Sequence, residues 1–95
     1  MNRSWIYIVS NTSRTTLYIG VTNDLHRRIG EHKSGTLEGF SKRYRCFDLL
    51  YFEEYADIRD AIAREKQLKG WRRSRKEALI DTTNPERKDL AANWY

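Results

Sequence analysis

The chain alternates between two hydrophobic periods. "WIYIVSN" (Trp5 to Asn11) and "TTLYIGV" (Thr15 to Val21) are rich in β-branched and aromatic residues and end on turn formers, so both read as strands. "NTSR" between them supplies a hairpin tip. With Thr12 and Ser13 in the turn, Tyr7 falls opposite Tyr18. One face then carries the tyrosines and the other carries Ile6, Ile8, Leu17 and Ile19. "TNDL" opens a helix, with Thr22 or Asn23 as N-cap, Asp24 near the positive dipole end, Leu25 and Ile29 as apolar stripe and Gly35 just past the end. "GTLEGFSKRYRC" (Gly35 to Cys46) is a basic connection with room for a short helical turn, and "FDLLYFEEY" (Phe47 to Tyr55) is a third strand.

Asp57, with Asp60 three residues on, resembles a capping box ahead of a helix from Ile58 to Lys69 that Gly70 stops. A shorter helix follows over Ser74 to Thr83, and Asn84-Pro85 breaks it. Leu90 and Trp94 offer the tail its packing. The order ββα–β–αα predicts an α+β fold: a small three-stranded antiparallel sheet flanked by helices, residues 1–95 forming a single domain.

Polar groups interrupt this pattern where a core is expected. At about 100° per residue, Ile58, Ala61, Ile62 and Leu68 share one sector of their helix, and Glu65 lies inside it. An unpaired buried carboxylate is costly, so Glu65 has to meet a cation, a donor cluster or water. On the first helix the same geometry sets His32 between Leu25 and Arg28, with Arg28 at the stripe's edge. The sequence thus aims Arg28, His32, Glu65, Tyr7 and Tyr18 at the sheet or a cleft beside it. Each has an ordinary alternative. Glu65 can pair with Arg28 in a structural salt bridge, His32 can be a hydrogen-bonded helix residue, and strand tyrosines are common. Gly20 marks a bulge or a close backbone approach.

Composition narrows the chemistry. Eighteen Lys and Arg against thirteen Asp and Glu give a net charge of +5, favouring a polyanionic partner. The one cysteine, Cys46, excludes an intramolecular disulfide and zinc sites built on paired cysteines, as in a reducing, cytoplasmic setting. No apolar run approaches the roughly 18 residues of a membrane span, and the start lacks a signal-peptide pattern. Two basic groups stand out: Lys42, Arg43 and Arg45 in the connection, and Lys69, Arg72, Arg73, Arg75 and Lys76 around Trp71. Such side chains neutralise phosphates without reading sequence, although the second group serves equally well as a solvated helix end.

The ordered motifs resemble those of the GIY-YIG nuclease domain family, in its small stand-alone bacterial form. The YIG half stands as Tyr18-Ile19-Gly20. The GIY half stands as Trp5-Ile6-Tyr7, with tryptophan replacing the first glycine. "GVTNDLHRRIGEHK", "AIAREKQLKGWRRSRKEALI" and "TTNPERKDL" resemble the segments that follow in the family. The resemblance implies a metal-dependent endonuclease acting on phosphodiester bonds, with DNA ahead of RNA and one Mg²⁺ or Mn²⁺; because nothing in the chain resembles a separate DNA-reading module, low sequence specificity or structure selectivity is expected. It assigns Tyr18 to activating the attacking nucleophile, Tyr7 to the second active-site tyrosine, Arg28 to the scissile phosphate, His32 to a histidine-or-tyrosine position and Glu65 to the metal. Asn84 is a candidate for a further active-site asparagine, and Gly20 for a backbone position at the site. The alternatives are a catalytically silent nucleic-acid-binding module of the same fold working with a protein partner, and a basic interaction domain held by a Glu65–Arg28 pair.

Overall fold

The computed structural model describes residues 2–95. Its elements are β1 (Ser4–Ser10), β2 (Leu17–Thr22), α1 (Leu25–Ser34), α2 (Phe40–Arg43), β3 (Asp48–Tyr55), α3 (Ile58–Lys69) and α4 (Arg73–Asp81). The three strands form one antiparallel sheet in the order β2-β1-β3, so β1 is central and β2 is an edge. The three-stranded α+β architecture is the one expected from the sequence.

Two apolar layers flank the sheet. Ile6, Ile8 and Ile19 join Leu50, Tyr51, Ala61, Leu68 and Ile80 on one face, under α3 and α4. Tyr7 and Val9 join Leu25, Ile29, Cys46, Leu49 and Ala91 on the other, under α1 and the C-terminal segment. A bulge at Leu50, where β1 shifts register between Ile8 and Val9, turns the consecutive Leu50 and Tyr51 to the same layer.

The hairpin register differs from expectation. Tyr7 pairs with Gly20, and Tyr18 pairs with Val9. The connection spans residues 11–16, because the Asn11 side chain organises a wider loop: its amide nitrogen donates to Thr15 Oγ1 at 2.7 Å and its oxygen accepts from the Thr16 N–H at 3.0 Å. The slip is two residues, so parity and the face of every side chain survive.

The helix starts also differ in detail. Asp24 is the N-cap of α1 and accepts from the Arg27 N–H, while Thr22, two residues before the cap, accepts from the Asp24 N–H at 3.1 Å. Asp57 caps α3 through the Arg59 N–H, as a short carboxylate at that position should. Its box is not reciprocated by a side-chain bond from Asp60. Gly35 ends α1 in the left-handed conformation (φ 72°), where a Cβ would be strained. The expected apolar stripe of α3 is narrower: Ala61 and Leu68 are buried, but Ile58 and Ile62 are exposed at the helix's outer side. A three-stranded sheet is too narrow to cover the full sector.

Candidate active site at the edge of β2

Gly20 explains how Tyr7 reaches the site. A Cβ built on Gly20 would stand 2.3 Å from the Tyr7 hydroxyl and 2.4 Å from the ring carbon bearing it. The Tyr7 ring therefore lies across β2 over Gly20, and its hydroxyl is carried toward the sheet edge. It meets His32 Nε2 there at 2.9 Å, with the rings edge-on and 5.3 Å between centroids. Tyr18, two residues before Gly20, points to the same face and sets its ring 5.7 Å from the imidazole.

The last two polar groups come from two helices. Arg28 is one turn before His32 on α1. Its Nε is buried without a hydrogen bond; the Glu31 carboxylate at 3.2 Å is within ion-pairing reach but outside hydrogen-bond alignment. Glu65 projects from α3, on the other side of the sheet, and its side chain is 16% exposed with Lys69 Nζ at 3.3 Å. Because β2 is an edge strand, a carboxylate from the opposite layer can approach the tyrosines around it. The structural Glu65–Arg28 pair entertained from sequence is not formed: each has a neighbour of opposite charge on its own helix.

The electrostatics record this convergence. Burial pushes the Tyr7 phenol well above the usual tyrosine range. Tyr18 and, more weakly, Glu65 push it the same way, while Arg28 opposes them. Burial also pushes His32 down to about 4; Arg28 adds to that effect and Glu31 opposes it. At neutral pH the pair is thus an un-ionised phenol against an un-ionised imidazole. His32 Nδ1 is buried and has no partner, whichever ring nitrogen carries the proton.

Tyr7, Tyr18, Arg28 and His32 are brought together with Gly20 as the floor beneath Tyr7, and Glu65 lies within electrostatic reach of Tyr7 from the other layer. Asn84 is not part of this group. Its amide nitrogen donates to the carbonyls of Leu50 at 3.1 Å and Lys88 at 2.8 Å, and its oxygen accepts from the Lys88 N–H at 3.1 Å. That places it against β3, at the opposite edge of the sheet from Tyr18.

The basic residues separate in the same way. Lys42, Arg43 and Arg45 are exposed on and after α2, and Phe40 of α2 stacks on Tyr18, which sets this group beside the site. Lys69 adjoins Glu65. Arg73 instead holds the hairpin, donating to the carbonyls of Thr15 at 2.6 Å and Arg14. Arg75 lies over the Trp71 ring at 4.0 Å, and Arg72 is the residue before α4. Phe40 and Tyr44 are aromatics at the site that the sequence reading passed over. The interleaving of aromatic and basic residues in "FSKRYR" was their signal.

The donor set suits one hard cation. Glu65 is the one carboxylate in the group, and among the described residues no group of three or more His, Cys, Asp and Glu is placed to hold a metal. Mg²⁺ binds through one or two carboxylates plus waters and phosphate oxygens, so a lone, partly buried Glu65 fits it, whereas a closed protein cage does not exist here.

Residues 3–78 match the GIY-YIG catalytic domain. The chain belongs to the GIY-YIG family. It is 35% identical over 72 residues to a UPF0213 protein of Bacillus pumilus, covering 76% of this chain and 74% of that one. It is 31% identical over 80 residues to the UPF0213 protein YazA of Bacillus subtilis, covering 84% and 80%. The fold is also that of a UPF0213 protein from Bacillus halodurans solved by NMR in solution, with a TM-score of 0.59 and 23% identity, over 96% of this chain and 97% of that one. These relatives are small proteins of similar length, and the GIY-YIG family is a nuclease family. No helix among the described residues is long and apolar enough to cross a membrane.

Proposed function

We propose that this GIY-YIG chain acts as one nuclease domain, hydrolysing phosphodiester bonds in DNA with one Mg²⁺ or Mn²⁺ held by Glu65. The observation that carries the reading is the convergence of a partly exposed Arg28 guanidinium with two tyrosines and a neutral histidine, one carboxylate lying within electrostatic reach. The Arg28 side chain is 30% exposed, so its guanidinium offers a planar fork of donors from which a phosphate can accept.

The proton chemistry divides between the tyrosines. Tyr7 is held as a neutral phenol by burial and is a poor base; bonded to His32, it is placed to orient water or phosphate. Tyr18 is half-buried and borders solvent through Phe40, so it is the phenol placed to act as base: once it has given its own proton to solvent, the phenolate takes the proton of the attacking water. His32, un-ionised at neutral pH, can accept a proton passed through the Tyr7 hydroxyl. Arg28 holds the scissile phosphate by its planar fork. The bound ion would neutralise phosphate charge and acidify water bound to it. Lys42, Arg43, Arg45 and Lys69 lie near enough to steady the flanking backbone, and contacts of that kind carry little sequence preference.

Purified protein incubated with Mg²⁺ or Mn²⁺ and a panel of linear, nicked, branched and single-stranded DNA tests the proposal. Cleavage that Glu65→Ala abolishes is expected. Cleavage undiminished in Glu65→Ala overturns the mechanism, and salt-sensitive binding without cutting on any substrate points instead to a silent binding module.

A further inference from the structure

Beside the site, the chain builds an exposed aromatic stair. Tyr18 stacks on Phe40, with ring centroids 6.1 Å apart and planes at 23°, and Phe40 meets Tyr44 at 4.5 Å. Phe40 is 49% exposed and Tyr44 43%, so the stair leads from a half-buried site tyrosine into solvent. Large aromatics left in water lose the free energy that burial would give them, and two adjacent ones are a feature to be explained.

Their support is firm even though the segment is short. Gly39 at φ 105° and Arg45 at φ 56° turn the chain sharply on either side of α2. Ser41 and Cys46 are buried beneath it, and the Cys46 N–H donates to the Ser41 carbonyl at 2.8 Å. The inner side of the segment is therefore anchored and its aromatic side is presented outward. Arg43 sits over the Tyr44 ring at 5.7 Å; Arg45 and Lys42 are exposed on the same segment, Lys42 paired with Glu38 at 3.0 Å.

We propose that Phe40 and Tyr44 are a stacking platform for unpaired bases next to the scissile phosphate, so that the substrate carries a single-stranded stretch at this position. Every base has a π-face, and stacking on aromatics between cations is how sequence-tolerant proteins grip single strands. In an intact duplex the base faces are already stacked on one another and are closed to Phe40. The charge of the flanking residues commits the occupant to a polyanion, and continuity through Tyr18 commits it to the strand being cut. This rests on the nuclease reading for the identity of that strand, while the platform itself is testable without cleavage.

The test is binding in EDTA, read by fluorescence anisotropy. The probes are an end-labelled oligothymidylate of roughly twelve nucleotides, within the span one small fold covers, a blunt duplex containing it, and the matching oligouridylate. Wild type is expected to bind the single strands more tightly than the duplex. Phe40→Ala and Tyr44→Ala are each expected to weaken single-strand binding about tenfold, within the range for loss of one stacked base, and duplex binding less than twofold. Phe40→Trp retains the preference, whereas Phe40→Leu, which keeps apolar bulk without a π-face, loses it. Both residues are exposed, so the variants should fold, and circular dichroism checks this.

Equal binding of single strand and duplex by wild type overturns the proposal. So does full single-strand affinity in Phe40→Leu, or a Phe40→Ala variant that changes only self-association on gel filtration. Retention of the preference by RNA alone, with no DNA arm, keeps the platform and changes the strand. A wild type with no preference that nonetheless cleaves duplex DNA overturns the platform and leaves the nuclease reading. A wild type with the preference and no cleavage on any substrate does the reverse.

Discussion

The Tyr7 phenol occupies the space that a side chain on Gly20 would need: a Cβ there would meet the hydroxyl at 2.3 Å. Two positions of the YIG and GIY motifs are thereby one steric unit. The paired backbone register of Tyr7 and Gly20 puts ring over glycine, and the missing Cβ lets the hydroxyl reach His32.

Gly20→Ala is accordingly expected to destabilise the fold by about 1–3 kcal/mol, the usual cost of overpacking, and to break the Tyr7–His32 bond. In a Tyr7→Ala background the same change should cost little, because its obstacle is gone. Urea unfolding of the four proteins of this cycle measures the coupling; additive losses would show that the clash is relieved elsewhere.

His32 makes stability pH-dependent with a defined sign. Its folded pKa, pushed down to about 4 chiefly by burial, lies below the unfolded value of 6.5. Between those values the unfolded chain binds a proton that the folded chain refuses, so stability falls as pH drops from 6.5 toward 4 and levels off below that. The loss is on the order of 3 kcal/mol at 1.4 kcal/mol per pH unit. Denaturation midpoints across this range should flatten in His32→Gln relative to wild type.

Arg28→Lys separates charge from geometry. The lysine keeps the positive charge but lacks the planar fork and the Nε that stands unbonded in the site. DNA cleavage should fall by about a hundredfold or more, in the range for loss of one group that stabilises developing charge. DNA affinity in EDTA should change only a few-fold. Full activity in Arg28→Lys would mean that a point charge suffices.

Asn84→Ala should act on stability alone. The buried amide joins β3 to the segment after α4 through three hydrogen bonds, and truncation leaves the Leu50 and Lys88 carbonyls without it. A loss of about 1–3 kcal/mol is expected, with cleavage per folded molecule unchanged at a temperature well below the midpoint. A selective loss of turnover would instead place Asn84 in the catalytic group.

Much of the architecture is legible in the sequence. The strand triplets, the start of α3 behind Asp57 and the stop of α1 at Gly35 follow from local rules: β-branched runs, capping side chains and a left-handed glycine. Face assignment was legible too, because strand parity is a local property. The polar intrusions were visible as Arg28, His32 and Glu65 on stripes that wanted aliphatics.

What the sequence alone determined was therefore which residues share a face and which polar groups sit where burial penalises them. Only the tertiary structure decided their partners. The Asn11 side chain opened the hairpin loop and set Tyr7 over Gly20 instead of opposite Tyr18. The narrowness of a three-stranded sheet left Ile58 and Ile62 in solvent, and the edge position of β2 let Glu65 approach from the far layer. Arg73 and Arg75, indistinguishable from their basic neighbours by sequence, were drawn to backbone carbonyls and to Trp71. Local rules fix conformation over a few residues. Register here turned on side-chain bonds within one loop, whereas sheet edges and the pairing of long charged side chains depend on contacts between segments far apart in the chain, and those exist only once the layers have packed.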